Sequence, residues 1–399
     1  MMLRLLALVP FAWLATATTH HAQDGRDPVP EVDPYTKNDP KVLKAAGYVS
    51  FGPFRFGDDH TTFHVEQALG GVPLIWVETA HFRIGSSLDT IDLPSERDER
   101  KALEAELARL RKKLPKLKRK VRELDSWLRL HLYAQRLEDF YASFCARFDI
   151  TEETFPEESK GGVGPHLGMP EKFAVLMCEK KSSFGRYTNT YLNQASPAPY
   201  RYYHEKTQIV FFGTSMEFLG GGYDNDAALH CSLISGLSKN FVNSAFGYDT
   251  GTPFFWREGV AHWFTREVNT DYPFFTANSN KLARVRLDED WPPKIRARVG
   301  HGVFAPSLDM IQWDDPDALE VADHMILWSR IDYVMAQGSG VMGKLLRGFK
   351  ETARDPRSVV REAGASDPFV KAFGKALGTT PEEFDGVWAK WVKKTYPKR

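Results

Sequence analysis

The residue types that could do chemistry together in this chain lie between Asp226 and Val268: His230, Cys231, Glu258 and His262. The segment reads D-A-A-L-H-C-S-L-I-S-G-L-S-K-N-F, then a loop, then P-F-F-W-R-E-G-V-A-H-W-F-T-R-E-V. Leu229, Leu233, Leu237 and Phe241 recur at helical spacing, and Asp226 is placed to cap that helix after Gly220-Gly221-Gly222. A second helix is predicted from near Phe255, just after Pro253, to Val268. Glu258 and His262 stand four apart and so share a face of it. A catalytic zinc takes three imidazole or carboxylate ligands and keeps a fourth position for water, so His230, Glu258 and His262 form one conceivable ligand set. In an H-E-x-x-H helix two histidines one turn apart reach one ion, and the Glu between them takes a proton from the bound water. Here His230 has Cys231 after it and Ile234 four residues on.

The same residues carry a resemblance. W-R-E-G-V-A-H-W-F (256–264) resembles the E-G-L-A-x-Y-F core of the gluzincin clan, the thermolysin-like peptidases, and in particular secreted bacterial domains of undefined function. Weaker echoes are E-T-A-H-F-R-I (78–84), D-H-M-I-L-W-S-R-I-D-Y-V-M (323–335) and F-D-G-V-W-A-K-W-V (384–392). The resemblance implies an α+β thermolysin-like zincin domain whose mixed sheet packs on the site helix. It puts His230 in the first ligand place, Cys231 in the base place, Ile234 in the second histidine place and Glu258 in the third ligand place. His262 takes a supporting position, and Gln208, Ile209, Val210, Phe211 and Phe212 form the cleft wall. No catalytic residue is assigned. Loss of a general base costs on the order of 10² to 10⁴ in rate, and loss of a ligand threatens the activated water as well.

Each residue also has a plainer reading. With Ile234, Leu237 and Phe241 beyond it, His230 suits a core histidine satisfied by a hydrogen bond. Cys231 points about 100° away from His230, which suits packing better than shared ligation or a Cys–His nucleophile pair. Glu258 could be a buried carboxylate paired with His230 or an arginine. His301, Asp323 and His324 lie downstream and could reach the same cleft.

The chain has 399 residues, 42% of them hydrophobic and 13% aromatic, which fits a folded protein with a large core. Formal charge is zero and the pI about 7.2, so no global imbalance points to nucleic acid. Residues 1–22 read as an export signal: Arg4, an apolar run from Leu5 to Ala17, and Ala15-Thr16-Ala17 as a cleavage site. No later stretch is apolar enough for a membrane helix, so the expected location is periplasmic, envelope-associated or secreted. Three cysteines, Cys145, Cys178 and Cys231, leave at least one thiol unpaired; Cys145 with Cys178 is one conceivable bridge, and three packed thiols the alternative.

Residues 23–45, rich in Asp, Pro and Lys, read as a mobile leader, and 46–95 as short strands. Leu103, Leu107, Leu110, Leu114, Leu117, Val121, Leu124 and Leu128 form a heptad-like seam in a basic helical arm over 96–130, kinked or split at Pro115. Between Arg109 and Arg122 this arm has many cations and no acid, so it could meet an anionic partner. The bland reading is a solvated helix with its leucines on the body. The peptidase-like domain then spans 131–275 and a mainly helical part 276–399, with helices near 318–337, 341–353, 368–376 and 381–396.

These features give three functional expectations. The first is an exported peptidase-like protein without catalytic activity or cofactor, whose cleft binds a peptide or protein segment. The second is an active zinc metallopeptidase with a rearranged ligand set. The third is a cell-envelope scaffold acting through the basic arm.

Overall fold

A computed structural model describes residues 32–151, 154–155, 164–220, 225–248, 252–275, 290–315, 319–354 and 364–398. The fold is α+β, with a mixed five-stranded sheet. Its strands are β1 (Ile75–Glu78), β2 (Phe82–Ser87), β5 (Phe173–Cys178), β7 (Ile209–Ser215) and β6 (Tyr200–His204), in that spatial order. β2, β5 and β7 run parallel, and the flanking β1 and β6 run antiparallel to their neighbours. The central strands are covered on both faces, so they read as unbroken apolar runs. Their side chains still alternate. Phe173, Val175, Met177, Val210 and Phe212 enter a large core, while Ala174, Leu176, Cys178, Ile209 and Phe211 enter a smaller one.

The smaller core lies under α2 (Thr62–Leu69) and α5 (Lys181–Leu192). On the other face of the sheet lie α4 (Ser126–Arg147), α7 (Asp226–Ala245) and α8 (Phe254–Val268). α6 (Met216–Leu219) is a single turn between β7 and α7. The C-terminal part is helical: α9 (Trp291–Gly300), α10 (Ser307–Ile311), α11 (Val321–Ala336), α12 (Ser339–Arg354), α13 (Pro368–Leu377) and α14 (Pro381–Thr395). Two glycines set the close packing. A Cβ on Gly236 of α7 would lie 2.1 Å from the ring of Phe212, and one on Gly259 of α8 would lie 2.6 Å from Ile331 of α11. The glycine of E-G-V-A is therefore where two helices cross.

Several sequence expectations change. Of the leader, residues 23–31 lie outside the described residues, but the stretch after it is fastened down. Asp33 is fully buried, its carboxylate bonded to His131 and to the Thr36 hydroxyl, and α1 (Pro40–Ala46) follows. The arm splits at Pro115, one of the two outcomes its sequence allowed. α3 (Arg97–Lys113) ends at Leu114, ahead of the proline that cannot continue it. A loop and the two-residue strands β3 (Ile91–Asp92) and β4 (Glu123–Leu124) then lead into α4. Leu103, Leu107, Leu110, Leu114, Leu117, Leu124 and Leu128 are buried against the body, so the seam is an intramolecular face and not a coiled coil. The division at residue 130 falls inside α4, and one core cluster runs from Ala46 to Tyr396. All three cysteines are free thiols, Cys178 and Cys231 buried and Cys145 partly so. The predicted signal segment lies outside the described residues.

Candidate functional site

α7 begins at Asn225, whose side chain accepts from the Ala228 N–H, so Asn225 and not Asp226 is the cap. Asp226 is instead tied into the body by Arg136, Arg129 and the Tyr133 hydroxyl. α8 starts at Phe254 after Pro253. Two contacts fix how the helices lie. Cys231 Sγ is 3.8 Å from the carbonyl oxygens of Thr265 and Asn269, and Lys239 Nζ is 2.8 Å from Glu258 Oε2. The start of α7 therefore meets the end of α8, and its middle meets the start.

That antiparallel register separates the two metal candidates. From His230 to Lys239 is nine residues, or about 13 Å of helix at 1.5 Å per residue. His230 is half-buried and set edge-on to Tyr133, with ring centroids 6.4 Å apart. Burial chiefly, helped by Arg136, holds it neutral with its pKa well below the usual value. Glu258 is fully buried elsewhere, facing the Lys239 ammonium. The expectation that His230 and Glu258 meet at the base of a cleft is corrected by this geometry, and so is the pairing of Glu258 with His230; an arginine, Arg257, does stand beside Glu258, together with Lys239. Ile234 is core, and burial pushes the Cys231 thiol up to about 12, so it is a packed residue and no nucleophile.

Around Glu258 the structure assembles a different set. His262 Nε2 lies 2.9 Å from His324 Nδ1 on α11, both rings buried. Burial first, then mutual proximity and the Lys239 charge, keep His262 well below its usual pKa; burial brings His324 down to about 4. Burial alone would raise the Glu258 carboxyl, but Lys239, Arg257 and His262 outweigh it and hold it far below the usual carboxylate range. Arg257 contributes a guanidinium, with Nε 3.7 Å from Glu258 Oε1. Among the described residues no group of three or more His, Cys, Asp or Glu side chains has a metal-holding arrangement. His262 lies on the same helix face as Glu258 and bonds His324, the one downstream candidate that joins the described cluster.

The cleft-wall assignment also moves. Ile209, Val210, Phe211 and Phe212 are buried in β7, which is paired on both sides, and Gln208 stands in the turn before it with positive φ. The four buried side chains cannot line an open cleft, and Gln208 is exposed. The edge strands of the sheet are β1 and β6, and β6 is the one beside β7. Arg201 pairs with Phe212 and Tyr203 with Val210, so both share the face that packs on α7. Tyr203 stacks on Tyr248 at 4.5 Å. Phe212 rests against Gly236, so Arg201 sits alongside the turn of α7 that carries Lys239.

Lys239, Arg201, Arg257 and His324 thus surround Glu258, and three of these four carried no weight in the sequence pattern. The signal available was a lysine inside an apolar helical run, seventeen residues after the Gly220-Gly221-Gly222 turn. Comparisons with protein-family models, curated proteins and solved structures return no match.

Proposed function

We propose that this chain is an exported, peptidase-like protein without catalytic activity that holds a peptide or protein segment beside β6 and α8. The observation that carries the reading is the buried Lys239–Glu258 ion pair at 2.8 Å. The carboxylate in the third-ligand place already faces a fixed cation, which occupies the side from which a metal would be bound. The H-C-S-L-I stretch supplies only His230, nine residues along the helix from Lys239. The turn of α7 that does face Glu258 offers Ser235, Gly236 and Lys239, and Phe212 closes the space a side chain at 236 would need. A ligand set and a base are therefore both missing where the geometry would use them. Export rests on Arg4 and the apolar run to Ala17; among the described residues no helix is long and apolar enough to cross a membrane.

The test is metal content of the purified mature chain, its melting with and without chelator, and casein cleavage. The reading expects substoichiometric zinc, an unmoved melting temperature and no chelator-sensitive cleavage. Stoichiometric zinc with a chelator-dependent loss of several degrees would establish the metallopeptidase reading in its place.

A second reading has its own observation. Lys112, Lys113, Lys116, Lys118, Arg119, Lys120 and Arg122 are exposed around the α3–β4 loop while the leucines between them are buried. This patch suits an anionic envelope partner.

A further inference from the structure

One carboxylate, Glu258, faces three cations: Lys239 at 2.8 Å, Arg257 at 3.7 Å, and Arg201 on the adjoining face of β6. His262 and His324 in the same cluster are neutral, so its described members carry a surplus of positive charge. Arg201 Nη1 and Arg257 Nε are buried without a hydrogen-bond partner among the described residues. Each side chain nevertheless keeps part of its surface open; Arg257 is 20% exposed. Burial, and next the repulsion of Arg257, lowers the Arg201 pKa from its ordinary value. Like charges brought together with donors unused are costly, and planar guanidiniums are suited to binding a carboxylate through two parallel bonds.

We propose that Arg201 and Arg257 form a carboxylate-recognition site for an extended peptide laid along the unpaired edge of β6. The strand supplies backbone donors and acceptors that carry no sequence preference, and the two guanidiniums supply the preference. Lys239 is not part of this site, because its ammonium is in direct contact with Glu258 at 2.8 Å, whereas Arg257 Nε stands 3.7 Å off. The acid recognised belongs either to an Asp or Glu side chain or to the peptide's C-terminus. This inference rests on the peptide-binding reading above and adds the class of peptide.

The experiment uses the full mature chain and three fluorescein-labelled pools of degenerate octapeptides, read by polarisation. One pool contains Asp and Glu and is amidated, one lacks them and ends in a free carboxylate, and one is amidated and lacks any acid. The expected result is that at least one acid-bearing pool binds about tenfold or more tighter than the neutral pool. Which of the two does so identifies the source of the carboxylate. Arg201→Gln and Arg257→Gln should each cut that advantage to under about threefold and leave binding of the neutral pool unchanged. Because Arg201 Nη1 has no hydrogen-bond partner among the described residues and Arg257 repels its charge, Arg201→Gln should melt no lower than the parent chain. Equal binding of all three pools would overturn the carboxylate site and leave peptide binding intact, whereas binding of none would overturn both. An acid preference that survives both substitutions, or an Arg201→Gln variant that melts several degrees lower, would assign the arginines a structural role and overturn the site.

Discussion

Lys239 Nζ lies 2.8 Å from Glu258 Oε2, with Lys239 only 6% exposed and Glu258 not at all. Two opposite charges removed from water tolerate the loss of both far better than the loss of one. Glu258→Gln or Lys239→Met alone should each destabilise the chain by about 3–5 kcal/mol, because one charge stays buried without its counterpart. The double variant Lys239→Met/Glu258→Gln should recover a large part of that loss. Denaturant unfolding of the four proteins measures the coupling. Additive losses would mean that the two charges act independently.

The His262–His324 pair makes a pH prediction. Burial is the main cause of the lowered pKa of each ring, and His324 reaches about 4. A depressed histidine binds a proton more readily in the unfolded chain than in the folded one. Stability therefore falls as pH drops from about 6.5 toward 4, by up to about 1.4 kcal/mol per pH unit for one group. His60 and His166, also brought down to about 4 chiefly by burial, add to the same window. His324→Asn, which keeps a polar atom near Nδ1, should flatten part of this slope in melts taken at pH 6.5, 5.5 and 4.5. A slope identical to that of the parent chain would exclude His324 as a contributor.

How legible was this chain? Helix limits read from apolar spacing agree closely for α7 and α8, because each buries most of its circumference against the sheet and α11. The leucine seam was equally visible, but its partner was not: a period of three and four residues says that a face is buried and says nothing of what buries it. E-G-V-A-H shows that Glu258 and His262 share a face, because they lie on one helix. Register between α7 and α8 is a tertiary property, set by Gly236 against Phe212 and Gly259 against Ile331, and His230 drew attention to the wrong turn. The leader read as mobile from composition alone, since an Asp–His contact across 98 residues leaves no local pattern.

That contact, Asp33 to His131, gives a further prediction. Burial would raise the Asp33 carboxyl, but its bonds to His131 and Thr36 lower it overall. A lowered carboxyl contributes stability that is present above about pH 4 and lost below it. Asp33→Ala should cost about 1–3 kcal/mol, leave the His131 ring without one partner, and expose the 32–39 stretch to proteolysis. Limited trypsin digestion, with a cut sought at Lys37, reads this directly. Unchanged protection would show that α1 alone anchors the segment.

The exposed cations of the α3–β4 loop predict salt-dependent retention on immobilised heparin. Lys116→Glu/Lys118→Glu/Lys120→Glu should elute at clearly lower salt with an unchanged melting temperature, since these side chains make no buried contacts. Elution that does not shift would dismiss the patch as an anion-binding surface.

The last prediction distinguishes two registers for a metal. If the turn of α7 opposite Glu258 is the ligand position, Ser235→His with Lys239→His puts two imidazoles one turn apart on the face that meets it. Removing Lys239 takes the nearest cation from Glu258, so zinc would restore one beside the buried carboxylate. The larger rings must fit a packed interface, which costs about 1–3 kcal/mol before metal is added. The double variant should therefore melt low without zinc, bind about one zinc per chain, and melt several degrees higher with it. Adding Glu258→Ala should abolish that gain. Cys231→Glu with Ile234→His restores the H-E-x-x-H letters around His230, yet should bind no zinc through Glu258, because these positions meet the far end of α8 near Thr265. Neither variant should cleave casein: in the register that faces Glu258 the base would have to grow from Gly236, and a Cβ there lies 2.1 Å from Phe212. Should the 231/234 variant bind zinc in a Glu258-dependent way, or the folded 235/239 variant take up none, the helix register derived from the Lys239–Glu258 pair would be wrong.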